Sequence, residues 1–148
     1  ILEENHEYSP KWGVSYGHTF SEGSTDSEAI KGELAIGIEM ICYRMRAYGI
    51  RSSSFSGHIG FDKNDYPSIG FRFVTPSFTH ITKYVYDACM RELAELIDSF
   101  CQRKMAIRSL MINTQNMDKT SQMNLFFRDE AEHTQRYQAI DRSNTRYR

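Results

Sequence analysis

Apolar side chains recur every three or four residues between residues 25 and 48. This spacing places them on one stripe of an α-helix, and it predicts a helix that packs against a core. Thr25 with Glu28 three residues later predicts a capping box at the start, and Gly49 predicts the end. The predicted stripe consists of Ile30, Leu34, Ile38, Ile41, Met45 and Tyr48.

A second stretch, which follows Pro76, has the same periodicity and predicts a second helix. Thr79 is the predicted N-cap, because a Thr hydroxyl accepts a hydrogen bond from the backbone N–H groups that a helix start leaves free. The apolar stripe of this helix is formed by Ile81, Val85, Cys89, Leu93, Leu96 and Phe100.

Shorter stretches with alternating apolar and polar residues predict four strands, at residues 14–20, 54–61, 69–74 and 105–115. The turn-forming sequence Asp-Lys-Asn-Asp-Tyr-Pro joins the second strand to the third and predicts a hairpin. The order β-α-β-β-α-β predicts an α+β fold of the ferredoxin-like type. In this fold, two helices cover one face of a four-stranded antiparallel sheet and leave the other face open.

The composition fits one domain of 148 residues. Lys and Arg number 18 and Asp and Glu 19, so the formal net charge is -1, which argues against nucleic-acid binding by bulk charge alone. No apolar run is long enough to span a bilayer, and no signal peptide opens the chain, so no membrane partner is expected. Cys42, Cys89 and Cys101 form no Cys-x-x-Cys pair; they predict free, buried thiols in a reducing compartment, the cytoplasm.

Charge is distributed unevenly over the predicted elements. The helices carry most of the carboxylates, whereas the strands carry Arg51, Arg72 and Arg108. The strands also carry short hydrogen-bonding side chains, namely Ser15, Tyr16, His18, Ser52, Ser53, Ser54, Ser56, His58, Ser109, Asn113 and Gln115. Because Arg, Ser and Asn are side chains that contact phosphate, a nucleic-acid backbone is one expected partner of the open face. Ordinary solvent-facing strands are the equally weighted alternative.

The sequence after the last predicted strand contains Gln122-Met123-Asn124-Leu125-Phe126 in a polar surrounding. The Gln amide can hydrogen-bond to the rim of a pocket while Leu125 and Phe126 fill an apolar cleft. This segment resembles the Gln-Leu-x-Leu-Phe peptide by which bacterial DNA polymerases bind the sliding clamp. For the motif alone, a tail that folds back onto its own domain is the alternative.

Further stretches follow one another in an informative order: Gly57-His58-Ile59-Gly60-Phe61, Thr75-Pro76 with Thr79, Val85-Tyr86-Asp87-Ala88-Cys89, Ile107-Arg108-Ser109-Leu110 with Asn116-Met117, and Ala139-Ile140-Asp141 with Arg146-Tyr147. Together with the clamp-type peptide, they resemble the C-terminal little finger domain of Y-family translesion DNA polymerases of the UmuC/DinB (ImpB/MucB/SamB) type. The resemblance extends from Val14 to the end of the chain. The sequence departs from the family at Trp12-Gly13, where Lys-Ser is usual, and at Met123, where Leu is usual.

The resemblance implies an incoming linker at 1–13, a DNA-binding domain at 14–117, and a tail at 118–148 with a clamp-binding motif at 122–126. It implies that the sheet lies in the major groove of primer-template DNA and holds backbone phosphates, in an error-prone polymerase of lesion bypass, DNA repair and the SOS response. The expected DNA contacts are Ser15, Tyr16, His18, Arg51, Ser52, Ser53, Arg72, Arg108, Ser109 and Asn113. The expected contacts with the clamp, the β subunit, are Gln122, Met123, Leu125 and Phe126.

The same resemblance implies that the two-metal chemistry of the polymerase belongs to other domains of the same polypeptide, the palm, finger and thumb. The chain begins with Ile1 rather than Met, and we expect it to be a fragment of such a polymerase. The fragment itself is expected to be non-catalytic and to hold no cofactor, the Mg²⁺ ions belonging to the catalytic domain. His18, His58 and His80 show no metal-ligand spacing, so no metal site is expected.

Other functional classes have weaker support. The main alternative is a ferredoxin-like regulatory or protein-interaction module without nucleic-acid binding, although no clear glycine-rich turn for an effector is present. A stand-alone enzyme is disfavoured, because the sequence offers no arrangement of a nucleophile and a base. An RNA-recognition motif is disfavoured because the strand aromatic residues fall in the alternation phase expected for the core: Phe55, Phe61, Phe71 and Phe73.

Overall fold

The computed structural model describes residues 13–63, 66–118 and 141. Its elements follow the predicted order β-α-β-β-α-β, which confirms the α+β fold. The elements are β1 (Ser15–Ser24), α1 (Ser27–Tyr48), β2 (Arg51–Phe61), β3 (Ile69–Thr79), α2 (Thr82–Gln102) and β4 (Ile107–Asp118).

The four strands form one antiparallel sheet in the order β1-β4-β2-β3, so β1 and β3 are its edges. The two helices lie side by side on the same face of this sheet. At one end the hydroxyl of Ser27 donates to Asp98, and at the other end Thr82 Oγ1 donates to Glu39 Oε1 over 3.2 Å. Lys31 Nζ adds an ion pair to Asp98 Oδ1 at 2.9 Å. The opposite face of the sheet is not covered by either helix.

The core fills the space between the helices and the sheet. The rings of Phe55 on β2 and Phe73 on β3 stack there with centroids 5.1 Å apart, and they fix which side of each strand faces inward. Tyr48 is an exception to the predicted helical stripe, since it is 41% exposed. It is the last residue of α1, and the next buried apolar side chain is Ile50. The largest fully buried side chains are Phe55, Ile30, Leu34, Ile38, Ile41, Met45, Ile50, Ile59, Ile81, Leu93, Ile97 and Ile107.

Asp26, rather than the predicted Thr25, caps the N-terminus of α1. Its carboxylate accepts hydrogen bonds from the backbone N–H groups of Glu28 and Ala29 over 3.1 and 3.2 Å. Asp and Thr are both good N-caps, and the negative charge of Asp also interacts favourably with the positive end of the helix dipole. Gly49 ends α1 as predicted, in the left-handed conformation with φ 69°.

The strand β3 is longer than predicted, because it continues through Pro76 to Thr79. Proline lacks the N–H that a central strand needs, but it is tolerated on an edge strand such as β3. The β2–β3 register shifts opposite this segment. The N-cap position of α2 is therefore Ile81 rather than the predicted Thr79. Thr79 still stabilises this end, since its Oγ1 accepts a hydrogen bond from the N–H of Ile81 over 3.0 Å.

All three cysteines are buried and free, as predicted. Burial raises the pKa of the Cys42 and Cys89 thiols to about 12, so both are protonated at neutral pH and pack as small apolar side chains. In the part of the chain that the structure describes, neither helix is long and apolar enough to cross a membrane.

Candidate nucleic-acid interface

The uncovered side of the sheet presents alternate residues of all four strands, and we call this surface the open face. Strand pairing aligns these residues in rows across the sheet, as in the row Ser15, Asn113, Ser56 and Arg72, which runs from β1 to β3. The described residues of the open face are Ser15, Gly17, Thr19, Ser54, Ser56, His58, Gly60, Gly70, Arg72, Val74, Ser109, Met111, Asn113 and Gln115.

The sidedness of the open face follows from the residues between these positions, which are buried under the helices. On the central strands β2 and β4, this inward set includes Phe55, Ile59, Leu110 and Ile112. Because successive side chains of a strand point to opposite sides, the residues next to them must face away from the helices.

The open face is polar and carries no carboxylate among its described residues. Arg72 is the one Lys or Arg in the aligned rows described above, and its Nε donates to Ser54 Oγ over 3.2 Å. On the neighbouring strands, Gln115 Nε2 donates to Ser56 Oγ over 2.8 Å. A surface with an arginine, short polar side chains and no competing acid provides the groups that proteins use to contact backbone phosphates.

One row of the open face carries little side-chain bulk at the two edges of the sheet. The row through His58 and Met111 ends in glycine on both edge strands, at Gly70 on β3 and Gly17 on β1. Glycine within a strand is typical of a place where a ligand or another backbone approaches closely. Here it leaves both edges of this row accessible to a large partner.

Four of the ten predicted DNA-contacting residues lie together on the open face: Ser15, Arg72, Ser109 and Asn113. Asn113 pairs with Ser15 on one side and with Ser56 on the other, in the row that ends at Arg72. This row therefore brings predicted residues from three strands into one line across the sheet.

Tyr16 and His18 lie on the opposite, helix-facing side of β1, so the structure does not place them with the other predicted contacts. The Tyr16 hydroxyl donates to Glu33 Oε2 over 2.8 Å, and its ring lies over Gly37 of α1, where an added Cβ would be 2.5 Å from the ring. Burial, together with this hydrogen bond to Glu33, raises the pKa of Tyr16 to about 12. His18 Nδ1 lies 3.4 Å from the same carboxylate oxygen. Strand alternation separates both residues from Ser15.

The predicted contacts at the start of β2 are also outside the open face. Arg51 and Ser52 are buried. The Ser52 hydroxyl donates to the backbone carbonyl of Ser54 over 2.8 Å. Ser53 is half-buried, and its hydroxyl accepts a hydrogen bond from Asn116 Nδ2 over 3.0 Å. The side chains of Ser52 and Ser53 thus connect the first residues of β2 to the end of β4, so their described contacts are structural.

Arg108 lies beside the register shift between β2 and β4 rather than in the aligned rows. Its guanidinium forms an ion pair with Asp62, with Nη1 2.9 Å from Oδ1, at a partly exposed position. Of the three strand arginines that suggested a basic sheet, Arg72 alone therefore lies in the aligned rows of the open face, since Arg51 is buried and Arg108 is paired with Asp62. The positive charge of this surface is smaller than the sequence predicted.

Several open-face residues were not among the predicted contacts, including Thr19, Ser56, His58 and Gln115. The pattern that identifies them is the alternation of inward-facing and outward-facing residues along each strand. Once the buried aromatic residues fix the inward phase of β2, every second residue is assigned to the open face. Residue type alone does not separate the two sides of a strand, because both carry polar groups here.

The predicted clamp-binding residues are not among the described residues of the open face. Gln122, Met123, Leu125 and Phe126 are outside the described residues. Among residues 13–63, 66–118 and 141, no group of three or more His, Cys, Asp or Glu side chains is placed to hold a metal ion.

Comparison with known proteins gives matches in structure only, since no protein-family model and no curated protein matches the chain. A Y-family DNA polymerase chimera of Dbh and Dpo4 superimposes with a TM-score of 0.56 at 14% identity, covering 73% of this chain and 29% of that chain. The insertion ternary complex of Dbh DNA polymerase gives a TM-score of 0.53 at 11% identity, covering 72% and 29%.

A complex of the beta-clamp processivity factor with the little finger domain of PolIV gives a TM-score of 0.45 at 13% identity, covering 76% of this chain and 96% of that chain. This last similarity is too low to indicate function. The chain spans less than a third of the Dbh polymerases that it matches, 29% of their length. The resemblance found in the sequence is thus confirmed at the level of the fold, which is shared with part of Y-family DNA polymerases.

Proposed function

We propose that this chain is the duplex-DNA-gripping domain of an error-prone translesion DNA polymerase, and that its open face contacts the backbone phosphates of primer-template DNA. The observation that carries the proposal is a polar sheet surface whose aligned rows bear Arg72 and no carboxylate among the described residues. Phosphate contacts of this kind position a duplex without reading its sequence, as a polymerase requires.

The distribution of acidic side chains supports the open face as the DNA side. Glu92 and Glu95 are exposed on α2, on the other side of the sheet. Their negative charge would repel a polyanion from the helical layer, whereas the open face offers no such repulsion. The fold shared with part of the Dbh polymerases agrees with this assignment.

A second contact, with the sliding clamp, completes the proposal. Gln122, Met123, Leu125 and Phe126 would form the clamp-binding peptide: the Gln amide would bind the rim of a clamp pocket, and the apolar side chains would fill it. In this proposal the chain performs no catalysis. The carboxylates and Mg²⁺ ions of phosphoryl transfer belong to other domains of the polymerase, which acts in the cytoplasm in DNA repair.

The DNA half of the proposal is tested by titrating the protein into a fluorescent primer-template duplex over a series of salt concentrations. We expect the affinity to fall linearly with salt on logarithmic axes, and to be the same for two unrelated duplex sequences. Absence of binding at high protein concentration, or an affinity that does not respond to salt, would contradict it.

A further inference from the structure

Arg46, near the end of α1, is a buried arginine with an unusually complete set of acceptors. Its Nη1 donates to the carbonyl oxygen of His80 over 2.8 Å and to Thr82 Oγ1 over 3.3 Å. Its Nη2 donates to Glu39 Oε1 over 3.1 Å and to Asp141 Oδ1 over 3.0 Å, and its Nε donates to Asp141 Oδ2 over 2.7 Å. All five N–H donors of the guanidinium are thus satisfied.

Asp141 makes the strongest of these contacts, because its two oxygens face the two parallel N–H groups of the guanidinium fork. This bidentate geometry is the most favourable one for an arginine and a carboxylate. The side chain of Arg46 is 1% exposed and that of Asp141 is 13% exposed, so the pair lies away from water. Burial alone disfavours the charged form of Arg46, but the hydrogen bonds that Asp141 accepts and its negative charge outweigh this effect and raise the pKa of Arg46.

The remaining acceptors come from rigid parts of the fold. Glu39 lies about two helical turns before Arg46 on α1, and Thr82 is the first residue of α2. Thr82 Oγ1 also donates to Glu39 Oε1 over 3.2 Å, which holds the carboxylate in place. These other acceptors therefore fix the orientation of the guanidinium independently of Asp141. Without Asp141, Nε and one N–H of Nη2 would be buried without these acceptors, which is costly for a charged group.

From these contacts we propose that Arg46, with Glu39 and Thr82, forms a binding site for the carboxylate of Asp141. This contact attaches the C-terminal segment of the chain to the helical layer. Asp118 ends β4, in the sheet, and pairs with Arg51. Residues 119–140 are consequently joined to the domain at both ends. On the proposed function, the clamp-type peptide at 122–126 then belongs to a doubly attached segment and not to a free tail.

The attachment is tested by a distance measurement between two spin labels in the full 148-residue chain. One label is placed at Ala47→Cys, at an exposed position next to Arg46, and the other at Ser143→Cys, two residues after Asp141 in the sequence. The three native cysteines are buried, so the introduced thiols react selectively. We expect one short, narrow distance population, which becomes broad in the Asp141→Ala variant.

Asp87→Ala is the matched control, because it removes a carboxylate whose partner Lys83 is exposed, 3.0 Å away on the same helix. The narrow population should persist in this variant. A broad population in the parent chain, or a narrow one that survives Asp141→Ala in protein with an unchanged circular dichroism spectrum, would overturn the proposal.

A parallel assay of clamp binding separates this proposal from the proposed function. If the narrow distance is found but Leu125→Ala with Phe126→Ala leaves clamp binding unchanged, the attachment stands and clamp docking is refuted. If the distance is broad while those substitutions abolish clamp binding, the attachment is refuted and clamp docking stands.

Discussion

Substitution of Arg72 is the most direct test of which surface holds DNA. Arg72 is the one arginine or lysine in the aligned rows of the open face, and its Nε contacts Ser54 on the neighbouring strand. The Arg72→Gln variant keeps a long polar side chain but removes the charge. Arg91→Gln is its matched control, because Arg91 is exposed on α2 and so lies in the helical layer.

The expected effect follows from counterion release. Each phosphate that a protein neutralises adds about 0.9 to the slope of log affinity against log salt concentration, so Arg72→Gln should lower the magnitude of the slope by about 0.9. Between about 50 and about 200 mM salt, this change means that the variant loses roughly 3.5-fold less affinity than the parent chain does. The loss of affinity at low salt should be the same for unrelated duplex sequences, because a phosphate contact carries no sequence information.

Fluorescence anisotropy with a labelled duplex measures both slopes under the same conditions. Arg91→Gln has the same net charge as Arg72→Gln, so it controls for the general effect of charge. If both variants change the slope equally, the open face is not the DNA-binding surface. If Arg72→Gln leaves the slope unchanged, this arginine does not contact phosphate.

Three further predictions concern the peptide, the sheet and the buried histidine. Leu125→Ala with Phe126→Ala should abolish clamp binding in a surface plasmon resonance assay while duplex affinity stays unchanged; equal clamp binding would exclude the peptide. Gly57→Ala should strongly destabilise the protein in urea denaturation, because the added Cβ would lie 1.9 Å from a backbone carbonyl oxygen of β4. Gly70→Ala should be tolerated, because the atom nearest to its added Cβ is 3.8 Å away. Equal urea midpoints for the two variants would refute this. Burial lowers the pKa of His80 from 6.5 to about 4, so the unfolded chain takes up a proton first and stability falls as the pH drops from 6.5 towards 4. A His80→Gln variant should lose up to about 3 kcal/mol less over this range, and parallel pH profiles would contradict the assignment.

The order of the elements could be predicted from the sequence because each periodicity reflects burial on one side. The stripe from Ile30 to Met45 is buried in the structure as the spacing of three and four required. Element ends were less predictable, since they depend on local competition. Thr25 and Asp26 are adjacent residues that can both cap a helix, and sequence alone does not weigh the extra charge of Asp26. Pro76 signalled the end of a strand, but the edge position of β3 that permits it is a property of the folded sheet.

The candidate site was predictable to the extent that alternation determines the side of a strand. Alternation places Ser15 and Arg72 on the open face. Tyr16 and His18 were grouped with them because both carry polar atoms, and residue type does not reveal that these atoms face Glu33. The charge of the face was harder to predict. The partner of Arg108 is Asp62, 46 residues away, and only the β2–β4 register brings the two together. Contacts between distant residues were thus the part of the site that local patterns could not supply.

The charge of the open face limits how tightly the proposed domain can hold DNA alone. One arginine neutralises about one phosphate, whereas strong binding to a duplex at physiological salt generally needs several such contacts. A second attachment to the same assembly changes this, because a tethered contact forms at a high effective concentration. The clamp-type peptide would provide such an attachment if the clamp is held on the same DNA. In the proposed function, weak contact by the open face and docking through the peptide would therefore be complementary: the sheet would position the duplex, and the clamp would keep the domain close to it.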